Sequence, residues 1–531
     1  MDALPTPLPR RKLPIGLQTL AKLRDQGCYY VDKTGMAIDL IESGSYFFLS
    51  RPRRFGKSLL VDTFKSLFEG RRSLFEGLFA ETRWDWGQRH PVIRISFSDG
   101  LPRSRVELDW RIRHQLRINR EDLGLSATSD TDPDDLPGQL ADLIRQAHRH
   151  TGHTVVVLVD EYDKPILDNL DTPAIAAEMR DRLRGLYSVL KDADALLRFV
   201  FLTGVSKFSK VSLFSGLNNL RDLTLDARWS ALCGYTEADI DSVFAPELPG
   251  LDRDKIRRWY NGYSWRGTPV YNPFDVLLLF DTRQFRPYWF ETGTPTFLLK
   301  LLAERQQFSP DLGRMVGSEL VLSTFDVDQI PTEALMFQAG YLTIASEHER
   351  AGRIDFQLAY PNQEVQASLN ELLLQQLSGG VSVPGRQISR LWDLLSAGDP
   401  QPLRGLFHAF FASIPHDWTR RSPITQYEGY WASVFYSHFA ALGLDIRVED
   451  STNHGRIDMV VLACGAVWVF EFKVVELTPQ GQALAQIRER GYADKYRDRA
   501  EPIHLIGVEF SKDSRNVVGF EVETIATRTS S

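Results

Sequence analysis

The sequence predicts an α/β fold with two sheet-bearing parts: a parallel-sheet domain over 13–235 behind a Pro-rich, flexible lead-in at 1–12, and a second α/β domain over 405–531, joined by a mainly helical connector at 236–404. Three observations carry this reading. Residues 154–159 (TVVVLV) form a continuous apolar run after the leading Thr154, which marks a strand buried on both faces of a parallel sheet. Runs at 46–49, 92–99, 198–203 and 223–226 read as further strands and alternate with helix-period segments, as in sheets built from crossover units. Near the C-terminus, 455–475 (GRIDMVVLACGAVWVFEFKVV) reads as a β-hairpin turning at Cys464-Gly465.

Composition narrows the class. A chain of 531 residues exceeds one core and implies roughly two to four domains. Charged residues at 25% and hydrophobic residues at 43% are ordinary for a folded protein and exclude a disordered chain. With a net charge of -7, any nucleic-acid contact has to use a local basic patch. Cys28, Cys233 and Cys464 stand alone without a C-x-x-C pair, against a disulfide framework or cysteine metal site. No apolar run approaches the roughly 18–20 residues that span a bilayer, and no apolar segment follows the basic residues near the N-terminus, so the expected location is the cytoplasm.

Taken in order, 32–42 is a helix feeding the strand at 46–49, and 59–68 repeats apolar residues at helical spacing. The arginine-studded 110–120 (WRIRHQLRINR) reads as a solvated helix face in preference to a nucleic-acid patch. A Ser/Thr/Asp/Pro-rich loop at 127–138 precedes a helix at 140–148. From 234 to 404 the period is mostly helical, and the aromatic clusters at 259–265 and 287–300 read as packing. Turn-rich breaks fall at 378–386 and 396–402.

The strand at 46–49 breaks into a turn ending in Gly56-Lys57-Ser58 before a helix, the layout of a phosphate loop (P-loop). Gly56 lets backbone amides wrap a phosphate, Lys57 reaches the outer phosphates and the Ser58 hydroxyl serves Mg²⁺. The free amides and dipole of the following helix add to this. Arg51 stands where the usual pattern has glycine. At the end of the 154–159 strand come Asp160, suited to the Mg²⁺ shell, and Glu161, suited to polarising an attacking water. Thr203 or Ser206 offers a hydroxyl from the neighbouring strand. All would lie at carboxyl ends of strands, where open sheets bind ligands. A solvated turn is the plain alternative for DEYD, and its pairing with GKS favours nucleotide binding.

SRPRRFGKSLL, VLVDEYDKPI, FLTGVSKFSKVSLFSGLNNL, WYNGYSW, YNPFDV and WFETGTPTFLLK together resemble the AAA-ATPase-like family of bacterial proteins over about 13–300. That family carries the same RPRRFGKS loop, so Arg51 is a family trait. The resemblance implies a P-loop NTPase sheet, ATP, Mg²⁺ and a switch ATPase of the broader AAA/STAND type. The nucleotide would lie against Arg53, Arg54, Phe55, Gly56, Lys57, Ser58 and Leu59, with Asp160 and Thr203. Arg51, Arg53 and Arg54 are candidates for neutralising phosphate charge, and no arginine finger is assigned.

In the hairpin, a turn at Cys464-Gly465 pairs Ala463 with Ala466 and sets Asp458 opposite Glu471. Directly opposed residues have Cβ atoms about 4.5–5.5 Å apart. Two acids so placed repel unless a cation sits between them, and Mg²⁺ prefers oxygen ligands. Alternation puts Lys473 on the same face, where it could orient water against a phosphodiester, and turns Trp468, Phe470, Phe472 and Val474 into a core. A surface hairpin holding an Asp–Glu–Lys salt bridge is the alternative. Upstream, 427–442 (YEGYWASVFYSHFAAL) carries an apolar helical stripe with Glu428 in its first turn. Downstream, 483–496 (ALAQIRERGYADKY) is a helix bearing Gln486, with Arg488, Arg490, Lys495, Arg497 and Arg499 along and past it.

Residues 426–520 resemble the PD-(D/E)XK nuclease fold, specifically the nuclease domain often joined to AAA-ATPase-like regions. The resemblance makes Asp458 and Glu471 metal ligands, Lys473 the water-positioning lysine, Glu428 an auxiliary acid and Gln486 a site-completing amide. Ile457 replaces the proline of the family's name. The expectation is an ATP-hydrolysing protein whose nucleotide state gates DNA cleavage or remodelling by a Mg²⁺-dependent nuclease. The alternative is a STAND-like switch whose C-terminal fold binds nucleic acid or a partner without cutting. Nucleic acid, DNA before RNA, is the expected partner, no membrane is expected, and homo-oligomerisation is left open.

Overall fold

The computed structural model describes residues 9–126, 132, 134–207, 213, 217, 219–291, 298–299, 301–302, 305, 309–323, 331–378, 385–414, 429–452, 455–499 and 501–526. The chain divides into two compact units, one of residues 1–293 with 315–362 and one of residues 294–314 with 363–531. This grouping runs across the stretch 236–404 rather than around it.

In the first unit, β1 (Tyr46–Ser50), β2 (Val92–Ser96), β3 (Val155–Asp160), β4 (Leu197–Gly204) and β5 (Arg221–Asp222) form a parallel sheet in the order β2-β3-β4-β1-β5. Every residue of β3 is buried, as its unbroken apolar run requires. The fifth strand was expected at 223–226 and instead occupies Arg221–Asp222. Leu223 and Leu225 are buried in the turn after it, so their apolar character reflects burial and not extended pairing. Helices α1 (Lys57–Phe68), α2 (Arg105–Asp122), α3 (Leu136–Thr151) and α4 (Pro173–Asp192) join the strands. The start of α1 is set by Gly56, whose φ of +89° lies in the left-handed region that side chains with a Cβ disfavour by roughly 1–2 kcal/mol.

The loop ahead of Gly56 is seated by a buried cation. The Arg51 guanidinium donates to Ser50 O (2.8 Å), Thr224 O (3.1 Å) and Trp229 O (3.1 Å) and lies 4.0 Å from the Trp265 ring centroid. Burial lowers its pKa to about 10, so it remains charged at neutral pH. Phe55 meets Tyr263 and Trp265 edge-on, and the Trp289 indole donates to Arg53 O at 3.1 Å. Tyr263, Trp265 and Trp289, from the 259–265 and 287–300 clusters, are therefore the bed on which the loop rests, while Trp259, Tyr260 and Tyr288 pack in a separate core with Phe285. The region after 235 is not wholly helical: β6 (Val316–Ser318), β7 (Thr343–Arg350) and β8 (Arg353–Ala359) make an antiparallel sheet in the order β6-β8-β7.

In the second unit, β9 (Asp445–Thr452), β10 (Gly455–Ala463), β11 (Ala466–Val475), β12 (Ile503–Ser511) and β13 (Asn516–Ile525) are ordered β13-β12-β11-β10-β9. The β11–β12 pair is parallel and the others antiparallel. Trp468 and Phe470 face a core shared with α5 (Gln363–Leu377), α6 (Leu403–Ser413) and α7 (Tyr430–Ala440). Val467 and Val469 face the opposite way, onto α8 (Gln482–Glu489) and a 3₁₀ turn at Tyr492–Tyr496. The single helix expected over 483–496 is therefore broken, at Gly491 with φ +58°.

Because Arg51 satisfies three carbonyls at once, restoring the usual glycine there is expected to weaken the protein. Arg51→Gly should cost on the order of 2–4 kcal/mol, from charged hydrogen bonds worth about 1.5–3 kcal/mol each. A thermal melt of the full chain showing an unchanged or raised transition temperature would contradict this.

Candidate functional site

The phosphate-loop lysine is folded back on its own loop. Lys57 is buried, and its Nζ donates to Arg51 O and Pro52 O, each at 2.9 Å. Burial lowers its pKa, against the raising influence of Glu161, Asp160 and Asp163. Asp160, at the carboxyl end of β3, is 1% exposed, and its Oδ1 has no hydrogen-bond partner. Its Oδ2 lies 3.9 Å from the Arg94 guanidinium, which also reaches Asp62 of α1 at 3.4 Å. Glu161 adopts φ +53°, and a non-glycine residue kept there is held by its surroundings. Burial raises its pKa, and Lys57 opposes the rise.

Ser58 lies half-buried in the first turn of α1, and Leu59 beside it is half-buried. Arg53 is exposed, 3.9 Å from Asp168. Arg54, at φ +68°, lies 4.8 Å over the Phe274 ring. Three expectations change. Arg51 is buried under the loop and serves backbone carbonyls rather than phosphate. The Thr203 hydroxyl is buried and donates to Leu49 O at 2.9 Å, tying β4 to β1 instead of facing a ligand. The Ser206 hydroxyl donates to Asp163 at 2.7 Å, and the backbone N–H groups of Val205 (3.2 Å) and Ser206 (2.7 Å) donate to the same carboxylate. Of the acids in DEYD, Asp163 is thus a clamp between the ends of β3 and β4, while Asp160 keeps an unpaired oxygen. Beside Gly56 opens a small, mostly apolar cleft, lined by Phe55, Leu59, Leu60 and Thr63 on one side and by Tyr30, Lys33, Cys233 and Tyr235 on another.

At the C-terminal site the β10–β11 register runs from Ala463↔Ala466 to Met459↔Phe470. Continued by one pair, it sets Asp458 across from Glu471. Cys464 and Gly465 both have positive φ, +52° and +69°, as a two-residue hairpin turn of type I′ demands. Asp458 Oδ2 accepts the backbone N–H of Phe472 at 2.8 Å. Glu471 is 1% exposed. Its Oε1 accepts from Lys473 Nζ at 3.2 Å and from the Gln486 amide, while Oε2 is buried without a hydrogen bond of ordinary geometry. Burial first and the Asp458 charge second push the Glu471 pKa up to about 7, against Lys473. Burial also raises that of Asp458, opposed by the Phe472 N–H and Lys473.

Asp458, Glu471, Lys473 and Gln486 are thus brought together, whereas Glu428 lies outside the described residues. Among the described residues no group of three or more His, Cys, Asp or Glu side chains gathers as a metal cage. The donor set still fits a hard divalent cation, since two facing carboxylates with one unpaired oxygen are what Mg²⁺ takes alongside water. Arg488, Lys495, Arg497 and Arg499 are each paired with a carboxylate. On α2, Arg105, Arg113 and Arg117 are paired likewise, which suits a solvated face. Sequence reasoning missed Arg94, although a lone charge within VIRIS was the signal; it also missed the Asp163 clamp, which nothing in the DEYD pattern separates from its neighbours.

A P-loop-type sheet with an acid pair one strand away, and a hairpin-borne Asp–Glu–Lys set, define a two-module class: an NTPase-type domain carried with a nuclease-type domain. The family model described as "Predicted AAA-ATPase" matches residues 14–214, and that of the PD-(D/E)XK nuclease superfamily matches residues 426–520. A protein of Azotobacter chroococcum mcd 1, "Uncharacterized protein in vnfD 5'region", is 62% identical over 518 residues, covering 97% of this chain and 99% of its own. The chain belongs to the AAA-ATPase-like family with a C-terminal PD-(D/E)XK nuclease-superfamily domain. No solved structure matches it, and among the described residues no helix is long and apolar enough to cross a membrane.

The raised pKa of Glu471 makes stability depend on pH. The folded chain keeps this proton to about pH 7, whereas the unfolded chain releases it near 4.5. The folded state therefore binds more protons between those values, and stability falls as pH rises through that window. Glu471→Gln should remove this component, flattening the pH dependence of the denaturation midpoint from about 4.5 to 7 and raising stability above it. An unchanged slope would contradict the assignment.

Proposed function

We propose that the chain is a cytoplasmic ATP-binding and ATP-hydrolysing switch whose nucleotide state governs a Mg²⁺-dependent nuclease acting on DNA. The observation that carries the reading is common to both units: a carboxylate on a sheet strand, buried near a lysine, with one oxygen that makes no hydrogen bond of ordinary geometry. Such an oxygen is costly unless a cation joins it.

At the first site, Lys57 would exchange the Arg51 and Pro52 carbonyls for the outer phosphates, and the amides from Gly56 to Leu59 would wrap them. Ser58 and Asp160 would hold Mg²⁺, and Glu161 would accept the proton of the attacking water. Arg53 and Arg54, on the exposed side of the loop, remain available to phosphate, and the apolar cleft beside Gly56 suits a base. At the second site Asp458 and Glu471 would hold Mg²⁺, which when bound supplies positive charge to a phosphodiester. Lys473 orients the incoming water, and Gln486 fixes the Glu471 oxygen it bonds.

Purified protein with plasmid and linear DNA, Mg²⁺ and with or without ATP tests this. Lys473→Ala should lose cleavage at least a hundredfold while keeping nucleotide binding, and Lys57→Ala should lose nucleotide binding along with any response of cleavage to ATP. Equal degradation by Lys473→Ala and wild type would sink the nuclease assignment. The second reading is a switch that binds nucleic acid or a partner without cutting. It is favoured by the Lys473–Glu471 pair, which already neutralises one of the two carboxylates.

The two readings separate on metal binding. For the nuclease, apparent Mn²⁺ affinity should rise about tenfold per pH unit below about pH 7, where Glu471 must shed its proton, and level off above it. Titration calorimetry that detects no Mn²⁺ binding at pH 8 would favour the non-cutting switch.

A further inference from the structure

We propose that Glu509 is a positioning residue of the acidic site: it fixes the start of α8, and through α8 it sets the Gln486 amide against Glu471. The inference rests on reading Glu471 as a metal-holding carboxylate.

Glu509 lies on β12 as the Cα partner of Lys473 and is 2% exposed. A carboxylate buried so deeply needs donors. It takes them from the backbone: its Oε2 accepts the N–H of Gln480 at 2.5 Å and its Oε1 the N–H of Gln482 at 2.7 Å. Gln482 is the first residue of α8, so this N–H is one that a helix leaves without an internal partner. A negative charge there also meets the positive end of the helix dipole. With both oxygens engaged by main chain, Glu509 holds the helix start.

Two glycines open the space for this contact. Gly507, the Cα partner of Glu471, faces α8, and a Cβ there would fall 2.4 Å from Leu484 N and 2.9 Å from its Cα. The helix backbone therefore rests directly on β12. Gly519, the partner of Glu509 on β13, would with a Cβ press to 3.0 Å on Glu509 Cβ and 3.1 Å on Pro479 Cβ. An α8 of 8 residues is too short to hold itself in water, so its place depends on these anchors. One turn past Gln482, Gln486 donates to Glu471 Oε1, leaving Oε2 as the unpaired oxygen. A carboxylate thus holds a helix, and the helix carries the amide that orients a second carboxylate.

The test uses the full chain with Glu509→Gln, Gln486→Ala and the double variant, and Gly507→Ala as an independent way to lift α8. Partners one layer behind a metal ligand change affinity by about 10–100-fold. Glu509→Gln and Gln486→Ala should each weaken Mn²⁺ binding by about tenfold, with the double variant no weaker than Gln486→Ala. Hydrogen exchange of the metal-free protein should quicken at α8 amides in Glu509→Gln and Gly507→Ala. Glu509→Asp, one methylene short, should fall between wild type and Glu509→Gln. Additive losses in the double variant, or unaltered α8 exchange in Glu509→Gln, would overturn the proposal. If wild type bound no Mn²⁺ while the exchange difference stood, the metal reading of Glu471 would fall and the anchoring of α8 by Glu509 would remain supported.

Discussion

Two carboxylate oxygens, Asp160 Oδ1 and Glu471 Oε2, are buried without a hydrogen bond of ordinary geometry, and the surrounding architecture keeps them so. An ionised carboxylate withdrawn from water costs several kcal/mol unless it is paired and hydrogen-bonded. Each is only half compensated. Asp160 has Arg94 at the distant 3.9 Å, and Glu471 has Lys473 and Gln486 on its other oxygen. Both sit on strands paired on each side: β3, buried throughout between β2 and β4, and β11, held between β10 and β12. A loop bearing the same acids would turn them out to solvent.

A second feature of the first unit follows from the same electrostatics. The phosphate loop has two buried cations, Arg51 and Lys57, and three of its successive carbonyls are taken by donors: Arg51 O and Pro52 O by Lys57, and Arg53 O by Trp289. Arg51 is spent on the carbonyls of Ser50, Thr224 and Trp229, so its place in the motif belongs to folding. It substitutes for the compactness that a glycine gives by driving a guanidinium onto Trp265 beneath the loop. Tyr263, Trp265 and Trp289 thereby become part of the loop's support.

What the sequence disclosed, and what it withheld, divides along local and distant interactions. The Asp458–Glu471 juxtaposition was legible because it is a count from a tight turn, and the β10–β11 register runs unbroken from Ala463↔Ala466 to Met459↔Phe470. The strand before Asp160 was legible because burial on both faces leaves no polar position. Arg51 was misread because its partners lie 173 and 178 residues away, and a phosphate loop rich in arginine suggests phosphate by default. Thr203 was misread for a related reason: a hydroxyl at a strand end looks available until the neighbouring strand supplies a carbonyl. The helix over 483–496 failed at Gly491, where the apolar period continues through a backbone that turns left-handed.

At Lys57 two sets of acceptors, loop carbonyls and phosphate oxygens, compete on the proposed reading. In the present arrangement its ammonium makes two hydrogen bonds to carbonyls, and bonds to charged groups are each worth about 1.5–3 kcal/mol net. Giving them up for phosphate oxygens exchanges neutral acceptors for anionic ones, which adds direct attraction between opposite charges. The released carbonyls of Arg51 and Pro52 then lie in a buried loop and must find other donors, which consumes much of that gain. The exchange in hydrogen bonds is therefore close to even, and the surplus has to come from neutralising charge. Burial has lowered the Lys57 pKa while three acids hold it up, so an incoming anion strengthens a cation that its own fold weakens. On the proposed reading, a ligand lacking the outer phosphates leaves Lys57 on its carbonyls, and the loop responds to the phosphate tail rather than to the base.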